Sequence, residues 1–315
     1  MGRLIHMTSI EPPTRRTCGT MAEHRRLLTE SAGYRRARAE LENATIDSQR
    51  RESTGVDVVH IAIVVHVVSR TAAENISDAQ VVSQIEVLNQ DYRAANPDVA
   101  AVPEVFKPLV GDAKIEFALA TIDPDGNPTT GITRTSTLEK SFSTDNAIKF
   151  DDRGGADAWP ADRYLNIWVG LLRGGLLGYA QFPGGPEETD GVVITHTAFG
   201  TTGTATQPFN LGRTATHEVG HYLNLFHIWG DDGSGCGGTD EVPDTPNQGS
   251  ENTGKPTFPK VSCNNGPNGD LFMDYMDYVD DDTMVMFTAG QVSRMRSCLD
   301  TARSSLRSTS PTPAG

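Results

Sequence analysis

From Val56 to Val68 the chain reads VDVVHIAIVVHVV, an apolar run broken only by Asp57, His60 and His66, and its β-branched content predicts a buried strand. The period then changes in ISDAQVVSQIEVLNQDYRA. There Val81, Ile85, Leu88 and Tyr92 recur at helical spacing, and Ser77 with Gln80 forms a capping-box pair. Alternation returns in Lys114–Ile122, closed by the turn signal DPDGN, and further strands are expected at Arg163–Leu172 and Asp190–Thr195. A helix is expected from about Gly212 to Asn224. The next fifty or so residues, rich in Gly, Asp, Asn, Pro and Thr, show almost no period and read as loop that needs bridges or ions to hold it. A second capping-box pair, Thr288 and Gln291, opens a closing helix whose Val292, Met295, Leu299, Ala302 and Leu306 share one face. Ahead of the first strand, TMAEHRRLLTESAGYRRARAELEN reads as helix with little continuous apolar face.

These elements predict an α/β (α+β) fold of two lobes. The upper lobe, about residues 56–224, carries a twisted mixed sheet and helices, with the 212–224 helix along the lobe boundary. The lower lobe, about 225–315, is irregular and ends in the C-terminal helix. Residues 1–55 read as an appendage docked on this body.

Composition narrows the function. The chain has 315 residues, 37% hydrophobic, enough for one large or two modest domains. No apolar run reaches the roughly 18 residues of a membrane span. A net charge of −14 leaves no basic stripe for nucleic acid or an anionic membrane. The charge is uneven: residues 1–55 hold ten arginines against seven carboxylates, so a basic leader joins an acidic body. Four cysteines permit at most two disulfides, which can assist the fold but not carry it.

The chemistry concentrates in THEVGHYLNLFHIWGD, Thr216–Asp231. Four residues apart on a helix, His217 and His221 present two imidazoles to one point, with Glu218 beside them. A catalytic zinc takes three protein ligands and leaves one position for water. His227 can be the third only if the chain turns after His221, because a straight helix at about 1.5 Å per residue would carry it about 15 Å beyond His217. Asn224 suits that turn, being among the few residues that tolerate positive φ. Zinc at His217, His221 and His227 with Glu218 as base predicts metal-assisted peptide hydrolysis. A zinc-stabilised, non-catalytic binding or adhesion module is the alternative; Glu218 argues against it, since a structural site needs a fourth ligand rather than a base.

With these residues the sequence resembles the pappalysin family of metzincin metallopeptidases, especially its smaller microbial, ulilysin-like members. The similarity spans roughly residues 55–307 and includes LLGYAQFP at Leu176–Pro183, HIWGDDGSGCGGTDEVPDTPNQ at His227–Gln248 and MDYVDDDTMVMFTAGQ at Met276–Gln291. Asn224 replaces the family's glycine. The resemblance implies a methionine beneath the metal, Met276 rather than Met273, and Tyr278 as a phenol supporting the transition state. It implies a Cys236–Cys263 bridge and an upper rim at Leu177, Gly178 and Tyr179 that pairs with extended peptide. It also implies calcium at Asp240, the Val242 carbonyl, Asp244 and Thr245, all hard oxygen donors. Thr283 stands where the family has a cysteine, which leaves Cys298 without an expected partner.

In the leader, Cys18 within RRTCGT resembles a cysteine switch, a thiolate that occupies the water position and keeps the enzyme latent. The chain thus reads as a pro-segment, 1–55, and a catalytic domain, 56–315, with protein or peptide substrates and its own leader as intramolecular inhibitor. Asp280, Asp281 and Asp282 follow Tyr278 where the family builds its first primed-side pocket. An acidic floor there selects Arg or Lys just after the scissile bond, and Asp282 is the first choice. That preference would make Gln49–Ser53, QRRES, a self-cleavage point. A secreted protein is expected, although MGRLIHMTSIEPPTRR lacks the apolar core of a secretory signal.

Overall fold

Ile61, Ile63, Val65 and Val67 enter the main core, while Ala62, Val64 and Val68 enter two smaller clusters on the opposite face. Burial on both faces explains why this run shows no polar alternation. The computed structural model describes residues 13–50, 57–233 and 235–308. The N-terminal residues through Pro12 and most of the expected cleavage stretch Gln49–Ser53 lie outside the described residues or have side chains that do.

The leader forms α1 (Thr20–Glu30) and α2 (Ala32–Arg50), which the sequence suggested as one helix; Ser31, extended at φ −122°, divides them. The buried run is β1 (Val59–Ser69), followed by α3 (Asp78–Asp91). β2 (Ile115–Leu119) and β3 (Ile132–Ser136) pair in parallel with successive lengths of β1 on one side, and β4 (Leu165–Gly170) pairs in parallel on the other. β5 (Gly178–Ala180) and β6 (Val192–Thr195) complete the sheet: β6 is parallel to β4, and β5 runs antiparallel at the free edge. β3, ITRTS, was not legible as a strand because none of its residues is fully buried.

Two expectations are modified. Ser77 accepts from the Gln80 backbone, but the Gln80 side chain turns away from a capping box to donate to the carbonyls of His196 and Phe199. The closing helix α5 (Ala289–Asp300), with its complete Thr288–Gln291 capping box, stops at Thr301 rather than reaching Leu306. There Arg303 turns inward, donating to the Tyr222 carbonyl and pairing with Asp190.

Below the sheet lies α4 (Arg213–Tyr222), every residue of which is buried. The lower lobe has little regular structure beyond β7 (Thr253–Gly254) pairing with β8 (Tyr278–Val279). It is held by Cys236–Cys263 and by buried side-chain hydrogen bonds, such as those Asp277 accepts from Asn252 and Gln248. A bridge across a separation of 27 residues contributes about 3 kcal/mol in the chain-entropy account. Cys298 is a buried free thiol. No described helix is long and apolar enough to cross a membrane.

Candidate metal centre

α4 carries His217, Glu218 and His221 on one wall of the cleft. After Tyr222 the backbone passes through Asn224 at φ 78°, and this left-handed turn brings His227 back against the helix. The Nε2 of His221 stands 3.2 Å from that of His217 and 3.1 Å from that of His227. Nitrogens at about 2.0–2.1 Å from a tetrahedral ion would be about 3.3 Å apart, so this triangle fits zinc. Each ring is oriented from behind: Nδ1 of His217 meets the Tyr275 carbonyl, that of His221 the Leu225 carbonyl, and that of His227 the Asp231 carboxylate, at 2.7–2.8 Å. These partners leave Nε2 free for a metal. Burial, first of all, pushes His217 and His221 well below the ordinary histidine range, which keeps them neutral as ligands must be. Asp231 and the Trp229 ring, stacked on His227 at 4.3 Å, were not anticipated; Asp231's position four residues beyond His227 was the available clue.

Met276 lies beneath this wall. A Cβ on Gly220 would come within 2.5 Å of its sulfur, so glycine permits the helix to rest on Met276. Met273, the alternative, instead offers its carbonyl to Val285. Tyr278 packs against His217 and His227, with ring centroids 5.7 and 4.9 Å away; burial, then the neighbouring Cys18 and Glu218, raise its phenol well above the usual value.

The leader fills the cleft. Cys18 joins the three histidines, with all four ligand atoms within 4.8 Å of one another, the one such cluster among the described residues. The backbone of Thr17 and Gly19 pairs with Leu177 and Gly178 at the β5 edge, running parallel to it, at 3.1 and 2.9 Å. The Tyr179 side chain points to the opposite face of the sheet, where it packs with Trp168. Glu218 Oε2 accepts from the Thr20 hydroxyl at 2.8 Å and lies 3.4 Å from Cys18 Sγ. Burial lifts Glu218 to about 7. Thr20, missed in the sequence, also receives the Ala180 N–H and so ties the base to the rim.

Arg16, two residues before Cys18, enters a buried pocket. Its guanidinium meets Asp281 at 2.5 Å, donates to Thr214 and to the Val279 carbonyl, and lies 4.9 Å from the Phe209 ring. Asp281 is held in turn by the N–H groups of Leu211 and Arg213 at the start of α4. Asp282, the expected choice, is exposed and paired with Lys255, and the carboxylate that receives the Arg16 guanidinium is Asp281 rather than Asp280. Both residues lie in the turn after β8, where Asp281 is drawn inward by the N–H groups of Leu211 and Arg213 and Asp282 is left at the surface.

The expected calcium ligands divide. The Asp240 carboxylate, the Val242 carbonyl and the Thr245 hydroxyl meet at 2.8–2.9 Å, and burial raises Asp240 to about 7. Asp244 does not join them, because it accepts from Thr288 and from the Gly290 N–H at the start of α5.

The fold and this centre define a metal-dependent endopeptidase. A family model described as pregnancy-associated plasma protein-A, a peptidase family, matches residues 149–300. An extracellular metalloprotease of Arthroderma gypseum is 33% identical over 73% of this chain and 69% of its own. One from Pyricularia oryzae is 32% identical over 89% and 87%. Among solved structures, a Tannerella forsythia promirolysin mutant is similar at a TM-score of 0.86, 48% identical, covering 93% of this chain and 97% of that one. Mature mirolysin from the same organism, in complex with a cleaved peptide, is 54% identical at a TM-score of 0.79, covering 80% and 96%. The chain belongs to the pregnancy-associated plasma protein-A, or pappalysin, family of metallopeptidases.

Proposed function

We propose that this chain is an extracellular zinc endopeptidase held latent by its residues 1–55, and that it prefers Arg, with Lys second, immediately after the scissile bond. The observation that carries this reading is the Arg16 guanidinium buried on Asp281 while Cys18, two residues on, meets the three imidazoles. The leader lies along the rim with a thiol at the reacting position, running opposite to a substrate whose Arg follows the bond. Asp281 therefore takes the specificity role in place of Asp282.

Zinc held by His217, His221 and His227 supplies Lewis-acid polarisation of the scissile carbonyl and the attacking water. Glu218, once freed from Thr20 and Cys18, accepts the proton of that water and passes it to the leaving amine. Tyr278, kept protonated by its surroundings, donates to the developing oxyanion. Leu177 N–H and Gly178 C=O align an extended substrate by β-augmentation. Calcium at Asp240, the Val242 carbonyl and Thr245 braces the lower lobe.

Mapping cut sites in a peptide library, with and without a chelator, tests the reading. Cleavage before Arg and Lys that stops on chelation is expected; cleavage indifferent to the residue after the bond would remove the role of Asp281.

A further inference from the structure

One leader carboxylate is buried far from the metal. Glu23, on α1, is 1% exposed; it pairs with Arg26 of the same helix at 2.7 Å and accepts from Asn146 Nδ2 of the body at 2.8 Å. Lys149, in the same turn as Asn146 and fully buried, donates its amine to the Thr189 carbonyl at 2.7 Å and lies about 5 Å from the rings of Trp168 and Tyr179. The Tyr179 hydroxyl and Asn146 Oδ1 are buried without a hydrogen-bond partner. A buried ammonium, a free phenol and an amide donor form a set suited to a carboxylate. Burial lowers Lys149 to about 8, and Glu23 is the first of the charges that oppose this.

Its place along the cleft follows from the backbone. Arg16 enters the Asp281 pocket, Cys18 stands at the metal, and the chain then follows β5 towards Ala180 and α1. Glu23 thus lies on the side of the metal opposite the Arg pocket. We infer that Asn146, Lys149 and Tyr179 form an anion-binding subsite that, once the leader has left, receives a Glu or Asp side chain of the substrate on the amino side of the scissile bond. The position, though not the chemistry, rests on the proposed reading of Arg16 as the residue marking the carboxyl side. The subsite has two duties: it anchors the leader through Glu23, and it selects acidic substrates after maturation.

The full-length chain tests both. Leader loss, followed by mass spectrometry, should run several-fold faster in Glu23→Gln than in the natural chain; an unchanged rate would overturn the anchor. The enzyme that emerges from the natural chain is then given peptides with randomised residues on both sides of the bond. Glu should be favoured over Gln at one position on the amino side by about tenfold, the worth of one charge-assisted contact. Lys149→Met and Tyr179→Phe should each bring that ratio towards one. Equal cleavage of Glu and Gln peptides, or a ratio indifferent to both substitutions, would overturn the subsite. Loss of the Arg preference with the Glu ratio retained would instead defeat only the reading of Asp281.

Discussion

Single residues decide the specificity account. Asp281 and Asp282 are neighbours in sequence, yet one is buried on a guanidinium and the other is exposed beside Lys255. Asp281→Asn should lower the preference for Arg over Leu after the bond by about 30-fold or more, because it leaves a desolvated guanidinium without its charge partner. Asp282→Asn should leave that ratio within about twofold, as exposed pairs contribute little. Another residue sets an acid limit. His66 is buried between Asn166 and Thr133, and burial lowers it to about 4. An unfolded histidine titrates near 6.5, so the unfolded chain binds the extra proton first. Stability from keeping His66 neutral is present above about 6.5 and falls as pH drops towards 4, by about 3 kcal/mol in all. Urea unfolding at pH 7 and pH 4.5 should show a smaller difference for His66→Gln than for the natural chain; an identical difference would exclude His66.

Elements place these residues, and their legibility varied. β1, α3, β4, β6, α4 and the start of α5 followed from period and caps, because each buries a regular apolar pattern. β3 did not, since it adds to β1 with a half-exposed polar sequence, and the break at Ser31 within the leader had only Gly33, two residues on, to announce it. The histidine cluster was legible because four-residue spacing on a helix is geometric, and its turn because Asn tolerates positive φ. The orienting carbonyls of Tyr275 and Leu225 were not, since any residue supplies a carbonyl. Nor was Thr20, whose role depends on how the leader folds back on Glu218. Packing of α4 on Met276 gives a direct check: Gly220→Ala places a methyl 2.5 Å from the buried sulfur. It should cost about 1–3 kcal/mol of stability by denaturant midpoint, as overpacking does. No change would mean that Met276 does not support the helix.

At the scale of the whole molecule the leader is a second body folded over the first. Its α2 is locked to the lower lobe by Glu42, which pairs with Arg294, whose Nε reaches the carbonyl of Asn224 at the metal-site turn. On the proposed reading, latency rests on a thiol, a guanidinium and this clamp together. Cys18→Ala should make the purified full-length chain lose its leader sooner and cleave peptides before processing is complete; full latency in that variant would assign inhibition to the clamp alone. The extracellular setting of the relatives agrees with a chain that carries a disulfide and an acidic surface. The central claim is that three imidazoles hold one ion and Glu218 moves the proton. Its most direct test is zinc content and peptide cleavage measured together on Glu218→Ala after leader removal. One zinc per chain with cleavage reduced about 10²–10⁴-fold is the predicted result. Cleavage at the natural rate, or a protein that binds no zinc when Glu218 is intact, would contradict it.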